Sequence, residues 1–190
     1  MEEKEVKRFK LRPDQKWSTR CNLGAGKDIR EGWDNQDCCV LPGINLLFNL
    51  DTPNWPIPDN TYDYIECRMI LEHLSNWPAA MEEIWRISKP GAIVNIQVPF
   101  FPSMYIAIDP SHKAFNFSYL TFDYFTPEHS LNYYTRARFN IKRKYIRYSW
   151  NKWLNAIPAF LFNACPIFYS RYLAFIFPSN SLEVELICVK

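Results

Sequence analysis

At 190 residues, 48% hydrophobic and 17% aromatic, the chain is long enough to bury one α/β domain and short for two. Its six cysteines, at positions 21, 38, 39, 67, 165 and 188, have neither the paired spacing of a zinc site nor a secretory leader upstream. That excludes a disulfide scaffold and a cysteine-built metal site, and it reads as reduced thiols in a cytoplasmic protein. The net charge of +2 hides an asymmetry: residues 1–128 hold 13 Lys/Arg against 18 Asp/Glu, whereas residues 129–182 hold eight Lys/Arg and no acid. A cationic block of this kind faces phosphate, an anionic substrate or lipid headgroups, or is a solvated basic face.

The charged opening, residues 1–16, reads as a loosely held arm ahead of a single domain over 17–190. Trp17 to Leu23 suits a short strand, broken by Gly24-Ala25-Gly26. Gly32 to Asp37 and Ile44 to Leu50 suit a second and a third, separated by Pro42-Gly43. Tyr62 to Met69 has the near-continuous apolar character of a strand buried on both faces. A helix follows, with Ser75 or Asn76 as cap, Pro78 in its first turn, and Met81, Ile84, Trp85 and Ser88 on one face. Glu82 and Arg86 are spaced to pair on its outer face. Lys89-Pro90-Gly91 stops the helix before a fifth strand, Ala92 to Val98, so that strand, helix and strand form a parallel crossover. Arg138 to Tyr148 and Ser181 to Lys190 are two late strands, the last suited to antiparallel pairing.

The loop after the first strand, CNLGAGKDIREGWDNQD at 21–37, looks like a nucleotide-binding turn in a shortened form. A dinucleotide fold requires a third glycine, and Ile29 stands there; its ribose-binding acid lies about twenty residues on, and Asp37 follows Gly26 by eleven. On these residues alone the loop is either an ordinary strand-to-helix turn or the seat of a ligand that needs close backbone approach and a carboxylate for a diol.

Four stretches in order, the loop above, FNLDTPNWPIPDNTYDYIECRMILEHL, MEEIWRISKPGAIVNIQVPF and DPSHKAFNFSYLTFDYF, resemble the class I S-adenosylmethionine-dependent methyltransferases. The nearest likeness is to small members with LNLGCG, PFPDNSFD, LEHL and KPGG motifs. The resemblance spans about residues 17–125 and implies a Rossmann-like, mostly parallel seven-stranded sheet with an antiparallel last strand and helices on both faces. It also implies S-adenosylmethionine as cofactor. Gly24, Ala25 and Gly26 would lie under its methionine half, Asp37 would hold the ribose hydroxyls, and Asn49-Leu50 would flank the adenine. Asp51 is the alternative holder there, and Cys67 and Arg68 would lie near the sulfonium. Asn49 stands where many relatives have Asp, and Met69 where they often have His.

A positioned base helps a nucleophile that must shed a proton. Of the three histidines, His73 falls on the cofactor-facing loop of the resemblance, and His112, with Asp109 as partner, follows the fifth strand, beyond whose carboxyl end such sheets bind ligands. His129 is expected to be structural. Residues 153–170, WLNAIPAFLFNACPIFYS, carry no charge and lie between Lys152 and Arg171 within an aromatic insert over about 150–178. Two prolines and two asparagines argue against a spanning helix and leave either a hydrophobic lid or an in-plane segment on an anionic membrane. The function expected is methyl transfer to oxygen or nitrogen of a small-molecule, glycan or lipid-linked acceptor, in the cytoplasm or peripheral to a membrane. A catalytically silent partner subunit is the alternative. Nucleic acid is not an expected partner, because the aromatics do not interleave with the basic residues.

Overall fold

The computed structural model describes residues 16–190, so that all but Lys16 of the charged arm lies outside the described residues. Seven strands, β1 (Arg20–Leu23), β2 (Asp34–Asp37), β3 (Leu46–Leu47), β4 (Tyr62–Arg68), β5 (Ser88–Pro99), β6 (Phe139–Arg147) and β7 (Ser181–Cys188), form one sheet in the order β3-β2-β1-β4-β5-β7-β6. Only β7 runs antiparallel, against β5 and β6. The chain crosses over after β3, so the carboxyl ends of β1 and β4 lie side by side, the point at which open sheets of this kind hold ligands.

Central β4 buries Tyr62, Ile65 and Cys67 completely. The helix α1 (Trp77–Ile87) returns the chain, with Ala80, Met81, Ile84 and Ile87 turned into the core. Asn76 is its cap, accepting from the Ala79 N–H at 3.3 Å. The outer pair differs from the expected one: Arg86 bonds Glu83 at 2.8 Å and Asp59 at 2.6 Å, while Glu82 accepts from the Thr135 hydroxyl at 2.7 Å. The three-residue spacing places Glu83 within reach of the guanidinium, and Thr135 occupies Glu82 instead.

Two boundaries also move. The third strand contracts to Leu46–Leu47, and Lys89-Pro90-Gly91 is a bulge inside β5 rather than a turn before it, with the register slipping between Tyr62/Ser88 and Tyr64/Ile93. Gly91 supplies the positive φ of +77° that the bulge needs. Between β1 and β2 there is no helix; the connection folds on itself through Asp28 N–H to Ala25 carbonyl (2.8 Å) and Arg30 N–H to Asn35 (3.0 Å).

After a short helix, α2 (Met104–Ile108), the connection to β6 builds an aromatic cluster in which Phe117, Phe122 and Phe125 surround Trp77. The apolar insert becomes helix α3 (Lys152–Ala164), with Pro158 inside it, followed by a three-residue helix, α4 (Pro166–Phe168), and one π-turn (Tyr169–Leu173). Its asparagines face inward. Asn163 accepts the Ile146 N–H (2.8 Å) and donates to the Ile146 carbonyl (2.8 Å), so it caps edge strand β6; Asn155 accepts from the Tyr148 N–H (2.8 Å). Tyr169 anchors the segment, stacking on Phe162 at 3.9 Å and donating to the Phe177 carbonyl at 2.7 Å. The opposite face is bare: Trp153 is 91% exposed, and Leu154, Ile157, Phe160, Phe175 and Ile176 are also open to solvent.

Candidate active site

A cavity of about 260 Å³ opens at the carboxyl edge of the sheet, lined among others by Gly24, Asp37, Asn49, Leu50, Ile70 and His73. A larger, open groove of about 410 Å³ adjoins it through Leu50 and Asp51, but its other walls are the loop at 52–55 and the face of α1. Gly24 is obligatory for two reasons. Its φ is +64°, and a Cβ there would stand 2.4 Å from the Ile70 side chain. Gly26, at φ +52°, donates its N–H to Asp37 Oδ2 at 2.8 Å, and the Cys39 N–H donates to Oδ1 at 2.9 Å. The carboxylate is thereby fixed at the end of β2 with an acceptor lone pair still free on each oxygen, the pair of acceptors that the two hydroxyl donors of a vicinal diol require. Ala25 is buried under the loop, its N–H bonded to the Gln36 carbonyl at 2.8 Å.

Gln36 escaped the sequence reading. It accepts the Gly24 N–H at 3.0 Å and donates to the Phe48 carbonyl at 2.6 Å, tying the glycine loop to the end of the β3 segment. Asn49 reaches the cavity, but its side-chain oxygen already accepts the Asp51 N–H at 2.9 Å. Asp51 also lines the cavity and accepts from Lys113 (2.9 Å) and the Ser75 N–H (2.7 Å). Burial works to raise its pKa, but these hydrogen bonds prevail and hold it below the ordinary value. Of the expected set, Gly24, Asp37, Asn49, Leu50 and His73 line the cavity, whereas Ala25, Gly26, Cys67, Arg68 and His112 do not. Cys67 is sealed inside the sheet, where burial drives its thiol far above the usual range, and Arg68 donates to Gln97 at 3.1 Å.

The two histidines do come together. Lys113 and Ala114 N–H groups donate to the Glu72 carbonyl at 2.7 and 3.0 Å, drawing the loop that follows α2 across the turn at Leu71–His73. The imidazoles of His73 and His112 then meet edge to face at 4.6 Å. His112 Nδ1 lies 3.1 Å from the Ile106 carbonyl, which can only accept, so this nitrogen carries the proton and Nε2 the lone pair. Ser111 donates its hydroxyl to Asp109 at 2.6 Å and accepts from His73 Nδ1 at 3.0 Å, which again leaves Nε2 free. Asp109 Oδ2 lies 4.0 Å from His112 Nε2. Burial, and then the neighbouring His112, hold His73 below its ordinary pKa. Glu72 beside them is wholly buried, and neither carboxylate oxygen has a hydrogen-bond partner among the described residues. Burial pushes its pKa up to about 8.

Residues 17–177 match the family model described as a methyltransferase domain. The chain belongs to the methyltransferase-domain family. Among solved structures, it is similar to an S-adenosylmethionine-dependent methyltransferase from Archaeoglobus fulgidus at 15% identity and a TM-score of 0.57, over 90% of this chain and 86% of that one. One from Aquifex aeolicus is similar at 15% identity and a TM-score of 0.51, over 90% and 82%. The [4+2]-cyclase SpnF matches at 14% identity and a TM-score of 0.51, over 91% and 75%. At these identities the likeness carries the fold, a Rossmann-like class I sheet. No curated protein matches the sequence at a significant level.

Proposed function

We propose that this protein binds S-adenosylmethionine in the cavity between Gly24 and His73 and transfers its methyl group to an oxygen or nitrogen of a small-molecule or glycan acceptor, lipid-linked and met at a membrane surface. The observation that carries the reading is the convergence in one cavity of the bare backbone at Gly24, the anchored carboxylate of Asp37 and the neutral imidazole of His73. The lining fits the cofactor: Asp37 offers two acceptors to a ribose diol, and Leu50, Ile70 and Leu74 give apolar walls to a flat ring. When bound, the cofactor supplies an activated methyl group, so the chain's own work is alignment and exclusion of water, together worth roughly 7 to 11 kcal/mol in favourable cases. In this reading Asp37 and the glycine loop fix the donor, and the His73–His112 pair, with both Nε2 lone pairs free, takes the acceptor's proton. A base so placed contributes typically about 10²- to 10⁴-fold.

The second half of the chain supports this acceptor class. The exposed face of α3 and the turn after it carries Trp153, Ile157, Phe160 and Phe175, an apolar surface of the kind that marks an interaction site. No helix among the described residues is long and apolar enough to cross a membrane. Lys152 and Arg171 flank the face, and no acid occurs between residues 129 and 182. A second copy would set these cations against each other, whereas an anionic bilayer accepts both apolar ring and charge. A shallow cavity of about 230 Å³ between Phe101, Leu120, Ile167 and Arg171 offers an apolar seat with one cation beside this face.

The test is transfer of a labelled methyl group from S-adenosylmethionine into a bacterial lipid extract and into the matching aqueous metabolite pool. Label in the organic phase supports the reading, and label in the aqueous phase alone refutes the lipid-linked acceptor. Absence of label from both, with cofactor binding intact, leaves the silent partner as the better account.

A further inference from the structure

We propose that Glu72, His73 and His112 hold a divalent cation of the zinc class at the edge of the cofactor cavity, with one coordination position open. Each offers a ligand atom, and the three atoms lie within 4.8 Å of one another. Ligands 2.0 to 2.2 Å from a tetrahedral zinc stand roughly 3.4 Å apart, so small side-chain rotations close the site.

Three observations converge. First, Glu72 is 0% exposed and its two oxygens have no partner among the described residues. Buried carboxylates are ordinarily paired or bound to metal, because an unpaired one loses its hydration without compensation. Second, both imidazoles have the tautomer a metal needs. The Ile106 carbonyl holds the proton on Nδ1 of His112, and the Ser111 hydroxyl, itself committed to Asp109, does the same for His73. A histidine whose far nitrogen donates to a carbonyl or a hydroxyl–carboxylate relay is the usual outer arrangement of a metal ligand. Third, the chemistry of the set is selective. Two imidazoles and one carboxylate suit zinc and its transition-metal neighbours, whereas magnesium and calcium favour oxygen-rich sites.

Three protein ligands with a fourth position open mark a catalytic rather than a structural zinc site. His73 lines the cavity, which sets the cluster at its edge. Resting on the function proposed above, the cation would bind an acceptor hydroxyl oxygen there and lower its pKa, so that the O–H proton leaves to solvent and the oxygen is freed for methylation; with metal bound, His73 and His112 serve as ligands in place of the base role they have in the metal-free site. The sequence gives no hint of this, since the cysteine spacing points away from metal and the backbone bonds from Lys113 and Ala114 to Glu72 are what bring His112 in.

Cys38 and Cys39, exposed beside Asp37, offer thiols that would compete for added metal, so the test uses the full chain carrying Cys38→Ser and Cys39→Ser, stripped with EDTA and dialysed. Calorimetric titration with zinc chloride should show one saturable equivalent. Cobalt chloride should give visible d–d bands with no thiolate charge-transfer band. Glu72→Gln and His112→Ala should each weaken binding about 100-fold or more while circular dichroism stays unchanged, a ligand loss exceeding the outer-shell effect of about 10- to 100-fold. Absence of saturable binding, a thiolate band, or affinity unchanged in both variants overturns the proposal. S-adenosylmethionine titrated into the metal-free wild-type chain, which keeps Cys38 in the cavity lining, tests the cofactor separately, so either reading can fail without the other.

Discussion

The carboxyl edge of β1, β2 and β4 and the segment from Asn151 to Phe177 depart from ordinary burial in opposite directions. At the edge, polar groups are inside: Gln36 and Glu72 are buried, the first fully bonded and the second without a partner. In the later segment, apolar groups are outside, while Asn163 is spent inward on strand β6 and Asn155 on Tyr148 just beyond it. Each region thus holds binding capacity that the isolated chain leaves unused, hydrogen-bonding and ligating capacity at the edge and hydrophobic capacity on α3. Under the proposed function, a polar cofactor beside an apolar acceptor calls for both, and in this chain the two lie in separate parts.

Substitutions can break this division one side at a time. The largest effect is expected from Gly24→Val, which forces a β-branched residue into φ +64° against Ile70; it should abolish measurable S-adenosylmethionine binding and lower stability by about 1 to 3 kcal/mol in a denaturant titration. Next comes Asp37→Ala, which removes the diol acceptors and frees the N–H groups of Gly26 and Cys39. Calorimetry should show cofactor affinity lower by about 10- to 100-fold, and flotation with lipid vesicles should be unchanged. The converse variant, Trp153→Asp with Phe160→Asp, should abolish flotation with phosphatidylglycerol vesicles at low salt while leaving cofactor affinity within twofold, since neither residue lines the cavity. Wild-type flotation should itself weaken as salt is raised.

A smaller effect isolates Glu72. Its folded pKa is raised from 4.5 to about 8, so the folded metal-free state holds a proton that the unfolded chain releases. Stability from this group is full below about pH 4.5 and falls as pH rises toward 8. In EDTA, Glu72→Gln should remove that decline and melt a few degrees above the wild type at pH 8. Equal melting temperatures across the range would show that water or a rearranged neighbour already satisfies the carboxylate.

Much of the edge was legible because its signals are local. Gly24, Gly26 and Asp37 lie within one stretch of chain, and α1 announces itself through Asn76, Pro78 and the Met81–Ile84 spacing. What escaped depends on distant contacts. Lys113 meets Asp51 and Ser111 meets His73 only because a loop far along the chain is tied to the Glu72 carbonyl, and no periodicity encodes that tie. The third strand shrank because only Leu46 and Leu47 pair with β2, although the stretch Ile44–Leu50 is apolar apart from Asn45 and Asn49. Composition marked the insert as unusual without revealing which face its asparagines occupied; pairing with the backbone of an edge strand decided that.

The central claim is that the cavity between Gly24 and His73 holds S-adenosylmethionine. Its most direct test is calorimetric titration of the full chain and of Asp37→Ala with S-adenosylmethionine, S-adenosylhomocysteine and NAD. The account predicts saturable binding of the first two and not of NAD, weakened by the substitution. Binding of none of the three by the wild type, or equal affinity in the two proteins, would contradict it.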